Sequence, residues 1–139
     1  MTSPASQHGV RILTPAGAIA PTGTWSLGTR AGDFLFVAGM RGIDPATNRL
    51  VDNDEARIRQ SFLNMQTIAA SEGATLHDAV RIVVYVSDMT RLRPLVNKVQ
   101  EQLWVGGPYP PRTIVEVAKL NQDDICEVEG TFYAPRYSS

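Results

Sequence analysis

A nearly continuous apolar run, AVRIVVYVS at residues 79–87, constrains the fold of this chain more than any other feature. Its β-branched residues predict a strand, and the near absence of polar alternation indicates that both faces of that strand are covered. A helical pattern precedes the run and another follows it. The chain is therefore expected to form a sheet with this strand at its centre and helices packed against it.

The first helical pattern begins at residues 52–55, which supply N-cap candidates and negative charge for a helix start. Apolar residues then recur at helical spacing along one stripe, and the pattern ends near Gly73. The second pattern begins after SDMT (87–90), carries Pro94 in its first turn and stops at GGPYPP (106–111). The two stripes consist of Ile58, Phe62, Met65 and Ala69, and of Leu92, Leu95, Val99 and Leu103.

Further strands are predicted on both sides of the helices. FLFVAG (34–39) reads as a buried strand, a short edge strand is expected near residues 25–29, and GIDPATNRL (42–50) carries turn chemistry. RTIVEVA (112–118) and ICEVEGTFYA (125–134) close the chain. The fold class is α+β: one mixed or antiparallel sheet with two helices packed on one face, in a single domain over residues 1–139, with residues 1–15 as a loose N-terminal arm.

Two helices cover only one face of such a sheet, so the other face needs an explanation. If KLNQDD (119–124) turns the last two strands into a hairpin, strand alternation puts Arg112, Ile114 and Glu116 on the same face as Glu127 and Glu129. A face that mixes apolar and charged residues suits a subunit interface with a polar cleft. In this register Arg112 and Glu127 lie roughly 13 Å apart, so a different pairing, a bulge or a neighbouring chain is needed to bring them together.

The composition excludes several classes of function. With 13 basic and 14 acidic residues the net charge is −1, which provides no basic patch for nucleic acid. The single cysteine, Cys126, rules out an intrachain disulfide or a multi-cysteine metal cage and is expected in the core. No cluster has metal-ligand spacing, no run is apolar enough for a membrane span, and no secretory segment is present, so a cytoplasmic protein without metal or cofactor is expected.

Four segments are informative together: AGDFLFVAGMRGIDPATNRLV (31–51), RIRQSFLNMQTIAASEGATLHDAVRIVVYVSDM (57–89), LVNKVQEQLW (95–104) and the pair PYPPRTIVEVAKL (108–120) with DICEVEGTFYAP (124–135). In this order and at these spacings they resemble the RidA family, also called YjgF/YER057c/UK114, of enamine/imine deaminases. The resemblance implies a chorismate-mutase-like fold and a homotrimer with sites between its subunits.

The same resemblance implies roles for individual residues. Arg112 would hold the carboxylate of a small-molecule substrate, and Glu127 would position or activate the attacking water. Asn97 and the backbone of Gly39 would line the pocket. A guanidinium binds a planar carboxylate through two parallel hydrogen bonds, and the proline-rich segment before Arg112 restricts the backbone that aims it.

Four positions depart from the family's usual residues. Trp25, Ala38, Met40 and Ile114 stand where the family has other residues, and each change predicts a bulkier or more apolar pocket. They favour a dedicated catabolic substrate, such as a 2-aminomuconate-like ring-cleavage product. Two alternatives stay open: a non-catalytic trimer that binds carboxylates or acts as a chaperone, and a ribonuclease, which the low net charge disfavours.

Overall fold

The structure is a computed structural model and describes residues 5–136. Its strands, in chain order, are β1 (Arg11–Leu13), β2 (Gly28–Ala31), β3 (Phe34–Met40), β4 (Ile43–Asp44), β5 (Arg49–Leu50), β6 (Ala79–Val86), β7 (Arg112–Glu116) and β8 (Cys126–Tyr133). The helices are α1 (Asp54–Ala70) and α2 (Met89–Leu103). Two short 3₁₀ turns, Leu76–Asp78 and Asn121–Asp123, precede β6 and β8.

Six strands form one mixed sheet in the order β1-β2-β3-β8-β6-β7, and β4 pairs with β5 in a small ribbon. All neighbours in the large sheet are antiparallel except β6 and β7, which run parallel. Both helices pack on one face, where Leu35, Val84 and Phe132 are fully buried. The predicted α+β fold class is confirmed.

The helix patterns are largely confirmed. All four predicted core residues of α1 are fully buried, and α1 begins behind the N-cap Asn53, whose side chain accepts from the backbone N–H of Ala56. α2 begins earlier than expected, because Asp88 caps it, so Pro94 lies in the second turn rather than the first. Its buried stripe contains Val96, while Leu95 and Leu103 are only partly buried.

The last two strands do not form the hairpin that the face assignment assumed, and they pair differently, which is one of the alternatives that the sequence left open. β7 lies at the sheet edge beside β6, and α2 supplies the long crossover that two consecutive parallel strands need. β8 instead inserts between β3 and β6. In a parallel β6-α2-β7 unit, the apolar stripe of α2 is buried against the sheet. A hairpin between the last two strands would not require α2 to pack there.

This topology also reverses the predicted side-chain parity. Ile82 on β6 pairs with both Arg112 and Gly130, whereas Tyr85 pairs with Glu127. Directly paired residues point to the same side of a sheet, and alternate residues point to opposite sides. Arg112, Ile114 and Glu116 therefore lie on the helix-covered face, and Glu127 and Glu129 lie on the other face.

The second face is free of helices in the described chain, as the sequence predicts. It carries exposed apolar side chains from both sheet edges and from the centre: Ile12, Phe34, Phe36, Val115 and Tyr133.

The N-terminal segment is more ordered than expected. β1 pairs with β2 and Leu13 is buried, so the predicted loose arm over residues 1–15 is wrong for residues 11–13, while residues 1–4 lie outside the described chain.

Candidate functional site

Arg112 opens β7 at the end of the proline-rich segment and lies over α2. Its Nη1 donates to Asn97 Oδ1 at 2.8 Å and to Gln100 Oε1 at 2.7 Å. The two amides lie three residues apart on α2 and therefore share one helix face. They fix the guanidinium at the wall of a cavity of about 330 Å³, which Glu101, Tyr109 and Pro110 also line.

Within residues 5–136, the charge of Arg112 is not neutralised by an acidic partner. No carboxylate of these residues lies within ion-pair distance of its guanidinium, and both of its side-chain acceptors are neutral amides. Burial and the nearby Arg93 lower the pKa of Arg112, yet a guanidinium stays protonated in proteins. A half-buried, oriented cation at a cavity wall is suited to binding a carboxylate by its remaining N–H groups.

Glu127 belongs to a second cavity, of about 300 Å³, on the other side of the sheet. Trp25, Ala38, Gly39 and Arg41 are among the residues that line it with Glu127. A Cβ atom at residue 39 would lie 2.5 Å from Glu127 Oε2, so only a glycine leaves room for the carboxylate in this position.

Burial is the main reason that the pKa of Glu127 is raised above its ordinary value. The charge of Arg41 opposes this shift, whereas the negative charges of Glu129 and Asp124 reinforce it. A carboxylate with a raised pKa is a better proton acceptor at neutral pH than an ordinary glutamate, provided that it is ionised. Glu127 therefore has the environment of a general base, or of a group that orients a water molecule.

One chain does not bring Arg112 and Glu127 together. β6 lies between their strands, the two side chains point to opposite faces, and their positions differ by three residues along the sheet. Strand spacing and rise put their backbones roughly 14 Å apart. Asn97 accompanies Arg112, whereas Trp25, Ala38 and Gly39 accompany Glu127.

Two predicted pocket residues do not line either cavity. Met40 is fully buried in the core. The reason is a bulge in the pairing of β3 with β8: Val37 pairs with Gly130 and Met40 with Val128, so three residues of β3 span two residues of β8. The bulge turns Met40 to the same side of the sheet as Val128. The prediction that Met40 adds bulk to the pocket is wrong. Ile114 lies on the face of Arg112, where it packs against the core, and is not among the residues lining that cavity.

Sequence reasoning missed several polar residues of both cavities, chiefly Gln100, Tyr109 and Arg41. Gln100 follows Asn97 by three residues, a spacing that predicts a shared helix face. Arg41 directly follows the apolar strand, where an isolated charge at a strand end is a signal for a site. Its partner Asp124 lies in a loop, and sequence periodicity gives no information about such a contact.

Other features of the described chain are structural. Cys126 is fully buried, as predicted, and burial is the main cause that raises the pKa of its thiol to about 12. Residues 5–136 contain no group of three or more His, Cys, Asp or Glu side chains arranged to hold a metal ion. None of the helices described there is long and apolar enough to cross a membrane.

The sequence profile of the family described as Endoribonuclease L-PSP matches residues 16–134. A probable translation initiation inhibitor from Rhodopseudomonas palustris has a similar structure, with 53% identity, coverage of 92% of this chain and 100% of that chain, and a TM-score of 0.89.

Two further relatives have more specific names. RidA from an Antarctic Psychrobacter superposes with a TM-score of 0.83 at 29% identity, covering 88% of this chain and 98% of that chain. A 2-iminobutanoate/2-iminopropanoate deaminase from Dermatophagoides farinae is 29% identical over 86% of this chain and 92% of its own length.

Proposed function

Because the chain belongs to the Endoribonuclease L-PSP family and its structure is similar to that of a RidA protein, we propose that it is a hydrolase of C=N bonds that converts 2-imino or enamine carboxylic acids to 2-oxo acids and ammonia. One observation carries the proposal: the Arg112 guanidinium is held at a cavity wall by two neutral amides, with no carboxylate partner in residues 5–136. The deaminase relative supports the same reaction class.

The residues supply what this reaction needs. Arg112 binds the substrate carboxylate through two parallel hydrogen bonds and so fixes the adjacent imine carbon. Glu127, when ionised, accepts a proton from a water molecule that adds to this carbon. Water addition gives a carbinolamine. Its nitrogen takes up the proton that Glu127 accepted, the C–N bond breaks and ammonia leaves, and the hydroxyl group loses its proton to solvent as the C=O bond forms. No covalent enzyme intermediate is required, because a conjugated, protonated imine is already electrophilic.

The site is proposed to be shared between two copies of the chain in a homotrimer. Within one copy Arg112 and Glu127 point to opposite faces of the sheet, so they act on one small molecule only if each comes from a different copy. The helix-free face, with its exposed aromatic residues, is the surface that such an assembly would bury. In this arrangement the β7 edge of one copy faces the Glu127 cavity of the next.

We propose short 2-imino acids as substrates, in a cytoplasmic setting. The deaminase relative is named for the four- and three-carbon acids 2-iminobutanoate and 2-iminopropanoate. The 2-aminomuconate-like substrate expected from the sequence has no support, since Met40, one of the residues thought to reshape the pocket, is buried in the core. Glu101 at the Arg112 cavity would moreover repel a second acid group.

The test is hydrolysis of an imino acid made in situ by an amino-acid oxidase, measured as the rate of 2-oxo acid release in the presence of a trapping agent for the imine. Wild-type protein should accelerate release, and Arg112→Ala should lower kcat/KM by on the order of 10²-fold or more. Arg112→Lys should restore only part of the lost kcat/KM, because an ammonium group lacks the planar pair of N–H donors of a guanidinium. An Arg112→Ala protein that assembles normally and keeps wild-type turnover would contradict the proposal.

The two rival functions predict different results. A non-catalytic carboxylate-binding protein would bind small 2-oxo acids but accelerate no imine hydrolysis, and Glu127→Gln would leave its function unchanged. A ribonuclease, as the family description suggests, would bind RNA with a steep salt dependence. The net charge of −1 offers little electrostatic attraction for RNA.

A further inference from the structure

Arg41 forms a buried polar cluster behind Glu127 that the proposed chemistry does not use. Its side chain is 6% exposed and lines the cavity that contains Glu127. Nη1 donates to Asp124 Oδ2 at 2.9 Å and to the backbone carbonyl of Asn121 at 3.2 Å, and Nη2 donates to Gln122 Oε1 at 3.0 Å. One guanidinium thus binds three residues of the loop that leads into β8, namely Asn121, Gln122 and Asp124.

This loop has an unusual backbone for its sequence. Gln122 and Asp123 have φ values of 58° and 53°, in the left-handed region that non-glycine residues rarely occupy. Such conformations persist when surrounding contacts hold them. The hydrogen bonds from Arg41 are contacts of this kind, and Glu127 follows Asp124 by only three residues. The loop that Arg41 holds therefore leads directly into the strand that carries Glu127.

The charges of the cluster do not cancel. Asp124, which is 1% exposed, lies 2.9 Å from Arg41 and 3.5 Å from Nη1 of Arg57. Two guanidiniums face one aspartate, which leaves one positive charge next to the Glu127 cavity. A buried ion pair is often no more stabilising than well-packed apolar residues, so stability alone does not explain the cluster.

We propose that Arg41 is a positioning residue for imine hydrolysis: it holds the loop before β8 and sets a positive charge beside Glu127, which keeps that carboxylate ionised and directed at the cavity. This inference rests on the proposed function. It assigns to Arg41 an effect on the reaction through Glu127, without contact to the substrate.

Several charged groups act on Glu127, and the effect of Arg41 has to be separated from theirs. Burial raises the pKa of Glu127, Arg41 lowers it, and Glu129 and Asp124 raise it. Tyr85 on β6 donates a hydrogen bond to Glu129 and so satisfies one oxygen of that second carboxylate. Among residues 5–136, Arg41 is the charge that lowers the pKa of Glu127. Removing it should therefore make Glu127 titrate at a higher pH.

A second copy contributes too under the proposed function, because its Arg112 would face the same cavity. That contribution is common to all variants at residue 41. It shifts the absolute titration midpoint but leaves the difference between wild type and an Arg41 variant to report on Arg41.

The experiment compares wild type, Arg41→Lys and Arg41→Met by the pH dependence of kcat/KM for 2-iminopropanoate hydrolysis. Ionised Glu127 is the active form, so activity falls as the pH drops through its pKa. In Arg41→Met the midpoint of this acidic limb should rise by about one pH unit, the size expected for loss of a nearby opposite charge. Arg41→Lys should keep the midpoint close to wild type. An unchanged midpoint in Arg41→Met, with activity lowered equally at every pH, would overturn the inference.

Arg41→Met leaves Asp124 with a single cation, and folding could suffer. Arg41→Gln with Asp124→Asn removes both charges of the pair and offers a second route. Because the effect of Arg41 on Glu127 exceeds that of Asp124, the midpoint of this double variant should still rise, though by less. A midpoint at or below the wild-type value in the double variant would overturn the inference.

A measurement without turnover separates this inference from the proposed function. The Glu127 carboxyl carbon can be titrated by NMR in ¹³C-labelled wild type, with Glu127→Gln used to assign its signal. If the protein hydrolyses no imine, the proposed function fails, and the reaction role of Arg41 fails with it. If the protein is active but Glu127 titrates at the same pH in wild type and Arg41→Met, only the role of Arg41 fails.

Discussion

At the scale of single residues, the contact between Gly39 and Glu127 is the sharpest constraint on the site. A Cβ at residue 39 would lie within 3 Å of three atoms of the Glu127 side chain. Gly39 does not have a left-handed backbone, so alanine fits the backbone and the clash falls on the glutamate. We expect Gly39→Ala to keep its thermal stability within a few degrees and to lose on the order of 10²-fold in kcat/KM, the cost of a displacement of about 1 Å at a reacting group.

The matched control for this prediction is the same change in a Glu127→Ala background. There the new methyl group has no carboxylate to displace, so Gly39→Ala should add no further loss to the residual rate. Equal losses in both backgrounds would mean that the glycine matters for the strand and not for the glutamate. The steady-state rate of 2-oxo acid release measures all four proteins.

What the sequence could predict at this scale depends on distance along the chain. Arg112 and Asn97 are predicted as site residues from the resemblance to a family, and the structure joins them by a direct hydrogen bond. Met40 was placed in the pocket by the resemblance to a family, as a neighbour of Gly39, whereas the bulge after Val37 turns its side chain into the core. Arg41 was missed because its partner Asp124 is 83 residues away, in a loop without periodicity.

At the scale of elements, α2 determines the position of the Arg112 cavity, and its start depends on one side chain. Asp88 accepts a hydrogen bond from the backbone N–H of Arg91 and caps the helix. Asp88→Ala should cost about 1 kcal/mol and lower the unfolding midpoint by about 3–5 °C. Asp88→Asn should keep most of the stability because asparagine caps equally well. A loss of the same size in Asp88→Asn would indicate that the charge, and not the cap, matters.

The elements themselves were predictable because their apolar residues repeat with a clear period. Both helices and the strands around residues 34–39, 79–87, 112–118 and 125–134 correspond to α1, α2, β3, β6, β7 and β8. Their pairing was not predictable. A six-residue loop is compatible with a hairpin, and nothing local reveals that β8 instead inserts between β3 and β6. The assumed hairpin placed Arg112 on the same face of the sheet as Glu127, and the actual pairing places the two residues on opposite faces.

At the scale of the whole molecule, the separation of Arg112 from Glu127 turns into a prediction about assembly. If each site takes its arginine from one copy and its glutamate from the next, two inactive variants can complement each other. Arg112→Ala and Glu127→Gln, mixed one to one, unfolded together and refolded, should form mixed trimers. By random assembly about a quarter of the sites then contain both native residues, so about a quarter of the wild-type activity should return.

The logic of this mixing experiment is independent of the substrate's identity. A site built within one chain would always contain one defective residue in either variant, and no mixture of the two would recover activity. The control is a refolded mixture of wild type with the double variant Arg112→Ala, Glu127→Gln. If sites are shared by two copies, random assembly of this control mixture also pairs a native arginine with a native glutamate in about a quarter of the sites. If each site lies within one chain, about half of the sites are intact. A site shared by two copies requires two results. Activity must return in the first mixture, and the second mixture must show about a quarter, and not about half, of the wild-type activity.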